Sequence, residues 1–385
     1  MSSPLTLLSA HALSLSPPPT LCGSLHCQVS SSCRSLSTVC VSVVRTDGQT
    51  HCVFQDSVLF PTGGGQPHDL GTVSYASSSG ESTSCSVRCV SNVSRCCVVT
   101  LGGPCEGLSP GVRCTQEVDW ERRVRNMQAH TGQHVLSAVA EGLAVATRSW
   151  CLTDADAVTV DFAGQDVPGS LATIEDLANE YVRSDRPITA EWLSAGSADL
   201  GSRGVRSRLL PKAGATLGPL RVVTIDGLDS STCCGTHLPS TGRLRMLKLL
   251  GYERCSKGVV RVSFAAGEAL RRRMERIVVH VRGVADVVKD RDLDKQLEKV
   301  RALAEGREAD KKRVKALWSR VAAMEARSAA AFALLPSTFA ADRGVAVVDL
   351  GDGGGGLGKP DRDALKALAD AYLGEVEAGA VLVLS

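Results

Sequence analysis

The hydrophobic period of this sequence changes at Asp119, and this change constrains the fold more than any other feature. Between residues 20 and 115, apolar and polar residues alternate, and clusters of Gly, Pro, Ser and Asp interrupt the alternation about every ten residues. A period of two is typical of strands that bury one face, and closely spaced turns favour antiparallel pairing. The pattern therefore predicts an antiparallel barrel or sandwich, which we assign to residues 36–115.

Helical spacing replaces the alternation after Asp119. Asp119 can cap a helix that runs from Trp120 to about Leu143, and a second helix fits Ser170 to Arg183. Strands are predicted at residues 157–162, 188–193, 220–225, 243–250 and 258–264. Because helices alternate with strands, residues 116–266 are expected to form an α+β domain.

The C-terminal third of the sequence predicts two further regions. Residues 267–335 are helical, with an apolar stripe whose register drifts, so a long helix or a helical hairpin packed on a partner is favoured over a strict two-stranded coil. Residues 336–385 form a partial α/β module with a strand–helix–strand pattern, in which the strands lie at 345–350 and 380–384 and the helix at 361–376. The predicted fold class of the whole chain is α+β.

Size and charge narrow the classes of protein to which the chain can belong. The chain has 385 residues, of which 43% are apolar, and a formal net charge of +2. This length exceeds one typical core, so two or three domains are expected. The charge gives no global field that would mark a nucleic-acid-binding protein, so RNA binding would depend on local patches. No segment reaches the roughly 18 apolar residues of a membrane span. We expect neither a membrane nor DNA as a partner.

The N-terminal segment, residues 1–35, is predicted to be a disordered leader. Residues 1–19 are rich in Ser, Leu and Pro and carry no Lys, Arg, Asp or Glu. The basic region that begins a signal peptide is therefore missing.

The cysteine content bears on the cellular compartment. Eleven of the fifteen cysteines precede residue 115, many of them in Ser- and Val-rich runs. In a chain of this length, the pattern favours free, buried thiols in a reducing compartment over a disulfide scaffold. We therefore expect a cytoplasmic protein.

Two histidines of the first predicted helix have the spacing of metal ligands. His130 and His134 lie four residues apart, so that both imidazoles project from one helix face and can meet one metal ion. Taken alone, the pair is better explained by a solvated helix face than by a metal site. Gly132 lies between them and is unfavourable in a helix interior by roughly 1 kcal/mol relative to Ala. A close approach of backbone or substrate would account for this glycine.

A second pair, Cys233 and His237, lies four residues apart in a Gly-containing loop after a predicted strand. Taken alone, it is equally explained by a buried cysteine pair and a turn histidine. Three of the eight histidines nevertheless fall in two ligand-spaced pairs within one predicted domain. Three imidazoles and one thiolate are a suitable tetrahedral set for Zn²⁺, one ion per chain.

These pairs resemble the metal ligands of the editing domain that alanyl- and threonyl-tRNA synthetases share with free-standing AlaX-type alanyl-tRNA editing proteins. The likeness extends over about residues 50–270 and is closest to the long eukaryotic form of AlaX. It rests on the ligand pairs and on the runs Asp56 to Pro61, Gly63 to Pro67, Val118 to Arg123, Met127 to His130, Arg221 to Ile225, Ser256 to Gly258 and Arg261 to Phe264.

The resemblance implies a function as well as a fold. It implies that residues 36–115 are a tRNA-recognition β-barrel and that residues 116–266 are a zinc editing domain. It also implies that the chain hydrolyses mischarged tRNA(Ala), with Ser-tRNA(Ala) as the expected substrate. Activation of an amino acid with ATP is not expected, because the catalytic core of a class II synthetase is not recognised ahead of the barrel. Four protein ligands describe a closed site, so the metal is expected either to become five-coordinate, to lose one ligand, or only to position the substrate.

The resemblance also suggests substrate contacts. Thr131 and Gln133 flank the ligand face and are candidate catalytic residues, although a partly exposed helix surface would explain them too. Ser149 and Thr153 are candidates to read a serine hydroxyl in the pocket wall. The glycine loop Gly63, Gly64, Gly65 and Gln66 is expected to contact the tRNA acceptor end through backbone N–H groups, and a tight barrel corner is the alternative.

Two other functions remain open from the sequence. The first is a zinc-stabilised tRNA-binding protein that has lost hydrolysis. The second is a fragment of a longer synthetase. The start at Met1, which leads directly into the leader and barrel, is an argument against this interpretation. Oligomeric state is not predicted.

Overall fold

The computed structural model of this chain consists of two compact units, Met1–Arg276 and Ile277–Ser385, which we treat separately. It describes residues 3–46, 48–76, 81–152, 158–164, 166–194, 204–206, 219–255, 258–333, 345–348 and 381–384.

Six strands in the N-terminal part close into a barrel with the order β1-β2-β5-β4-β3-β6. Every neighbouring pair is antiparallel. The barrel that the alternating pattern predicted is therefore confirmed. The strands are β1 (Ser35–Thr46), β2 (Gln49–Phe54), β3 (Gly71–Ala76), β4 (Ser82–Val93), β5 (Cys96–Gly102) and β6 (Arg113–Val118).

Cysteines serve as apolar residues inside the barrel. Cys40, Cys52 and Cys114 are buried in one core cluster with valines and leucines. Burial raises the pKa of Cys40 to about 12 and that of Cys114 to about 11, which keeps both thiols protonated and unreactive. All fifteen cysteines of the chain are free thiols, as the sequence predicted.

Part of the segment that was predicted to be a disordered leader is helical in the structure. Residues Pro4–Leu13 form helix α1, whose N-terminus is capped by Ser3, and a short helix α2 follows at His26–Val29. Leu8 and Ala12 of α1 are buried against Val98 and its neighbours on the outer face of the barrel. The segment is ordered because this contact removes its apolar side from water. A ten-residue helix has too little periodic signal to reveal that contact in the sequence.

Two helices and two sheets form the second part of the first unit, so the predicted α+β class is confirmed. Helix α3 packs against β7, β8 and β13, and α4 packs against α3 and β12. The sheet orders are β11-β10-β9 and β12-β13-β8-β7. The elements are α3 (Trp120–Gly142), β7 (Ala146–Cys151), β8 (Val158–Ala163), α4 (Val167–Arg183), β9 (Ile188–Leu193), β10 (Leu220–Ile225), β11 (Asp229–Thr232), a 3₁₀ turn (Thr241–Leu244), β12 (Leu247–Arg254) and β13 (Val259–Ala266).

Helix α3 begins where the sequence predicts. The Asp119 carboxylate accepts a hydrogen bond of 3.0 Å from the N–H of Arg122, which satisfies one of the free donors at the helix start. Gly132 allows this helix to approach the sheet, because an added Cβ would lie 3.0 Å from Cε2 of Phe264. Packing therefore explains a glycine that is unfavourable for the helix itself.

Two further helices, Gly267–Val288 and Leu293–Ala333, confirm the predicted helical region. Strands Val345–Val348 (β14) and Val381–Leu384 (β15) pair in parallel, as expected for the two strands of a strand–helix–strand unit. The predicted helix at 361–376 lies outside the described residues. Within the described part of the chain, no helix combines the length and apolar content that crossing a membrane requires.

Candidate metal centre

The structure brings together the four residues that the sequence predicted as metal ligands. The ligand atoms of His130, His134, Cys233 and His237 all lie within 4.8 Å of one another, and all four residues are buried. The two histidines of α3 lie one helical turn apart, and the loop after β11 supplies the other pair. The four side chains could therefore hold one metal ion.

Arg221 fixes the loop that carries the second pair. This buried side chain donates hydrogen bonds of 2.8 and 2.9 Å from Nη1 to the carbonyl oxygens of Cys233 and Gly235. Gly235 has no alternative, because an added Cβ would lie 2.1 Å from Cε1 of His130. The loop thus lies so close to α3 that only glycine fits at this position.

The spacing of the donor atoms fits a tetrahedral ion. Cys233 Sγ lies 3.4 Å from Nε2 of His130 and 3.3 Å from Nε2 of His237. A tetrahedral Zn²⁺ with ordinary Zn–N and Zn–S bonds separates such atoms by about 3.5 Å. The side chains are therefore arranged at the dimensions of a zinc site.

Electrostatics favour a thiolate in this cluster. Burial opposes ionisation of Cys233, but the neighbouring imidazoles of His130, His237 and His134 outweigh it and hold the pKa of the thiol well below its usual value. Burial alone would lower the pKa of His134, but Cys233 and Asp229 raise this pKa to about 9. For His237 burial prevails and lowers the pKa to about 3. A deprotonated sulfur is the form that binds a metal.

Each of the three imidazoles has a polar partner on its Nδ1 atom, away from the cluster. Such partners commonly orient metal-bound histidines and fix their tautomer, and they leave Nε2 for the ion. The contacts are His130 Nδ1 to Gln66 Oε1 at 2.8 Å, His134 Nδ1 to Ser231 Oγ at 3.0 Å, and His237 Nδ1 to Thr131 Oγ1 at 3.3 Å.

A network of charged side chains extends outward from His134. Its Nδ1 lies 3.8 Å from Oδ2 of Asp229. Arg206 donates two hydrogen bonds of 2.6 Å to that carboxylate and lies 2.7 Å from Oε1 of Glu141. The Asp229 side chain is only 4% exposed, so the guanidinium compensates for its buried charge. Sequence reasoning missed this network, because a single acidic residue before the ligand loop carries no distinctive pattern.

The cluster opens on a cavity of about 530 Å³, a size suited to a small ligand. Helix α3 supplies His130, Gln133 and His134 to its lining, the loop after β11 supplies Cys233 and Cys234, and Trp150 comes from β7. Three of the four candidate metal ligands, His130, His134 and Cys233, therefore lie at the wall of a pocket, where they can meet a bound molecule.

The candidate pocket residues occupy different places in the structure. Gln133 lines the cavity and is 3% exposed; its Nε2 donates to Ser137 Oγ at 2.8 Å, and its Oε1 has no hydrogen-bond partner among the described residues. Thr131 instead contacts His237 and accepts a hydrogen bond from the N–H of Leu238. Ser149 is exposed and donates to Asp161 Oδ2 at 2.6 Å, away from the cavity lining. Thr153 lies outside the described residues.

The glycine loop reaches the cavity at one residue. Gly64 lines the pocket, and its carbonyl oxygen accepts a hydrogen bond of 3.2 Å from Nε1 of Trp150. Gly65 has φ +83°, and an added Cβ would lie 2.8 Å from the same Nε1 atom. The Gln66 side chain is fully buried, and the expected contact of the loop with tRNA through backbone N–H groups stays a prediction. The Gln66 side chain is buried against His130 of α3, and no local sequence pattern reveals this contact.

Comparison with known proteins agrees with this geometry. Residues 220–263, which include Cys233 and His237, match the family described as Threonyl and Alanyl tRNA synthetase second additional domain. Alanyl-tRNA editing protein Aarsd1 of Mus musculus is 35% identical over 264 residues, which cover 65% of this chain and 60% of the relative. The chain is thus similar to alanyl-tRNA editing proteins over about 65% of its own length and about 60% of theirs. The resemblance predicted from the motifs is therefore confirmed.

Two further relatives show which part of the chain is shared. Alanyl-tRNA editing protein Aarsd1 of Bos taurus is 36% identical over 58% of this chain and 47% of its own length. Alanine--tRNA ligase of Pyrococcus abyssi is 34% identical over 56% of this chain but only 23% of the ligase. The chain thus spans about 60% of the mouse relative and matches a small part of the ligase.

Proposed function

We propose that this chain is a trans-editing aminoacyl-tRNA deacylase that hydrolyses mischarged tRNA(Ala), with serine as the misplaced amino acid. The observation that carries the proposal is the buried cluster of three imidazoles and one thiolate at the wall of a cavity of about 530 Å³. Such a cavity could enclose an esterified amino acid and part of the terminal ribose. Similarity to alanyl-tRNA editing proteins supports tRNA(Ala) as the partner, and we propose that the chain contacts its acceptor end.

The proposed cofactor is one Zn²⁺ per chain, held by His130, His134, Cys233 and His237. When bound, zinc would supply a Lewis acid for the ester carbonyl or for the attacking water. The donor set supports zinc over Mg²⁺ or Ca²⁺, because thiolate and imidazole are ligands that those oxygen-seeking ions do not favour.

The residues around the ion would bind and orient the substrate. Gln133 lines the cavity, and its buried amide oxygen has no hydrogen-bond partner among the described residues. We propose that this amide accepts a hydrogen bond from the hydroxyl of a bound serine ester. Alanine would leave this atom unpaired, so a site that reads the hydroxyl can reject it strongly. Gly64 and Trp150 form another part of the wall, where backbone groups of the loop would meet the acceptor end.

A second function is favoured by one observation. Four buried protein ligands are typical of a closed, structural zinc site, which agrees with a zinc-stabilised tRNA-binding protein without hydrolysis. The fact that three of these ligands, His130, His134 and Cys233, line a cavity favours the enzyme. We further propose a cytoplasmic location, which the fifteen free thiols support because such thiols persist in a reducing compartment.

The test is incubation of the protein with tRNA(Ala) charged with serine, glycine or alanine, each with and without a zinc chelator. We expect release of serine, sparing of alanine, and loss of hydrolysis after chelation that added Zn²⁺ restores. Binding of tRNA(Ala) without release of any amino acid would replace the enzyme with the binding protein.

A further inference from the structure

Gln66 of the barrel lies against the metal cluster of the other half of the unit. Its side chain is fully buried, and its Oε1 atom lies 2.8 Å from Nδ1 of His130 and 3.0 Å from the backbone nitrogen of Thr236. We propose that Gln66 is a positioning residue that fixes the tautomer and orientation of the ligand His130. The proposal rests on the metal site of the proposed function and adds the barrel to that site.

The hydrogen bonds determine which atoms carry protons. The backbone N–H of Thr236 can only donate, so the Gln66 atom that faces it is the carbonyl oxygen, and Nε2 of Gln66 donates to Thr236 Oγ1 at 2.8 Å. A carbonyl oxygen can only accept, so Nδ1 of His130 must be protonated. The free lone pair of His130 is then on Nε2, the atom that lies 3.4 Å from Cys233 Sγ.

The glycine loop holds Gln66 in place. Gly63 and Gln66 exchange two backbone hydrogen bonds of 3.1 and 2.9 Å, which close a two-residue turn. The residues between them, Gly64 and Gly65, have φ +60° and +83°, which is the conformation that such turns require and that glycine adopts without strain. A well-fixed loop lets an amide from the barrel orient a ring on α3. The glycines therefore have a role at the metal centre in addition to any contact with tRNA.

This role differs from simple packing in what it predicts. A residue that only fills space would affect the free energy of unfolding and leave the affinity of folded protein for metal unchanged. Partners that orient a metal-bound histidine typically change metal affinity by about 10- to 100-fold when they are removed. Metal affinity of the folded protein is therefore the decisive quantity.

The experiment compares Zn²⁺ dissociation constants, measured by chelator competition, for wild type, Gln66→Leu and Gln66→Glu. We expect Gln66→Leu to bind zinc about 10- to 100-fold more weakly. Gln66→Glu keeps an acceptor oxygen at the same place and should retain most of the affinity. Thr62→Val is the matched control, because Thr62 is exposed in the same loop and its hydroxyl contacts His68. It should bind zinc as wild type does.

A second measurement does not depend on the folding of any variant. In the zinc-loaded wild type, ¹⁵N NMR of the histidines should report His130 protonated at Nδ1, with slow exchange of that proton. Metal bound through Nδ1 of His130, or equal zinc affinity of Gln66→Leu and wild type, would overturn the positioning role and leave the deacylase intact. A wild-type protein that binds no zinc would overturn both proposals.

Discussion

Arg123 and Asp69 form an ion pair in which neither side chain has any exposed surface. Arg123 belongs to α3, whereas Asp69 follows the glycine loop of the barrel, so the pair joins the two halves of the first unit. Arg123 also donates to the carbonyl oxygens of Ser31 and Val58, and Asp69 accepts from the N–H of Phe60 at 2.7 Å. Every charge is thus compensated, and the base of the loop is anchored to the helix that carries His130 and His134.

The first prediction concerns this pair. Arg123→Met removes the cation and leaves the Asp69 carboxylate buried without its partner. Loss of one member of a buried pair costs about 3–5 kcal/mol of the free energy of unfolding. Urea denaturation of the zinc-loaded protein measures this quantity.

The matched control is Arg271→Met, which removes an ion pair at the surface. Arg271 is 56% exposed and contacts Glu268 and Glu275, and exposed pairs contribute about 0–1 kcal/mol. Similar losses in Arg123→Met and Arg271→Met would contradict the anchoring role of the buried pair.

The second prediction concerns the tRNA contact of the glycine loop. Gly64 has φ +60° and open space around an added Cβ, and asparagine tolerates this conformation. Gly64→Asn should therefore keep the fold and the zinc but obstruct the approach of the acceptor end. We expect hydrolysis of Ser-tRNA(Ala) to fall by roughly tenfold, which corresponds to one lost hydrogen bond to a charged group. A short seryl-adenosine ester should be affected much less.

Two further glycine variants control this experiment. Gly103→Asn alters a residue with φ +87° and open space elsewhere on the barrel and should leave both substrates unaffected. Gly65→Ala would displace Trp150 from the cavity wall and should slow both substrates. Equal losses on tRNA and on the short ester in Gly64→Asn would mean that the loop only shapes the pocket.

The third prediction identifies the residue that reads the serine hydroxyl. Gln133→Leu introduces an apolar side chain of similar size and removes the buried amide beside the cavity. We expect the ratio of serine to alanine hydrolysis to fall by about 10- to 100-fold, because one buried hydrogen bond contributes about 1–3 kcal/mol when its loss leaves a group unpaired. Single-turnover rates on Ser-tRNA(Ala) and Ala-tRNA(Ala) give this ratio.

Ser149→Ala is the control for selectivity. Ser149 was a candidate reader in the sequence, yet its hydroxyl contacts Asp161 rather than the cavity. The variant should keep the serine-to-alanine ratio of the wild type. A drop in the ratio for Ser149→Ala, or none for Gln133→Leu, would assign the reading of the hydroxyl to another residue.

Local patterns predicted much of the fold. The strands at 188–193 and 220–225 lie where the sequence indicated, and Asp119 caps α3 as expected. The ligand set was predictable because two pairs at a spacing of four residues mark chemistry without knowledge of tertiary contacts. These features depend on residues close together in the chain, so the sequence carries their signal directly.

Contacts between distant residues were not predictable in this way. Gln66 and His130 are 64 residues apart, and nothing local distinguishes a glutamine that faces RNA from one that faces a histidine. Likewise Ser149 and Thr147 lie on one short strand, and only its pairing with β8 decides that Thr147 lines the cavity and Ser149 bonds Asp161. The orientation of a side chain at the site therefore required the structure.

The most direct test of a metal-dependent deacylase compares Cys233→Ala with Cys234→Ala. Cys233 is buried among the three histidines, whereas its neighbour Cys234 is exposed and lies outside the ligand set. Bound zinc per chain and hydrolysis of Ser-tRNA(Ala) are measured on the same preparations. We expect Cys233→Ala to lose both and Cys234→Ala to retain both, with about one Zn²⁺ per chain. Full zinc occupancy or undiminished hydrolysis in Cys233→Ala would contradict the account.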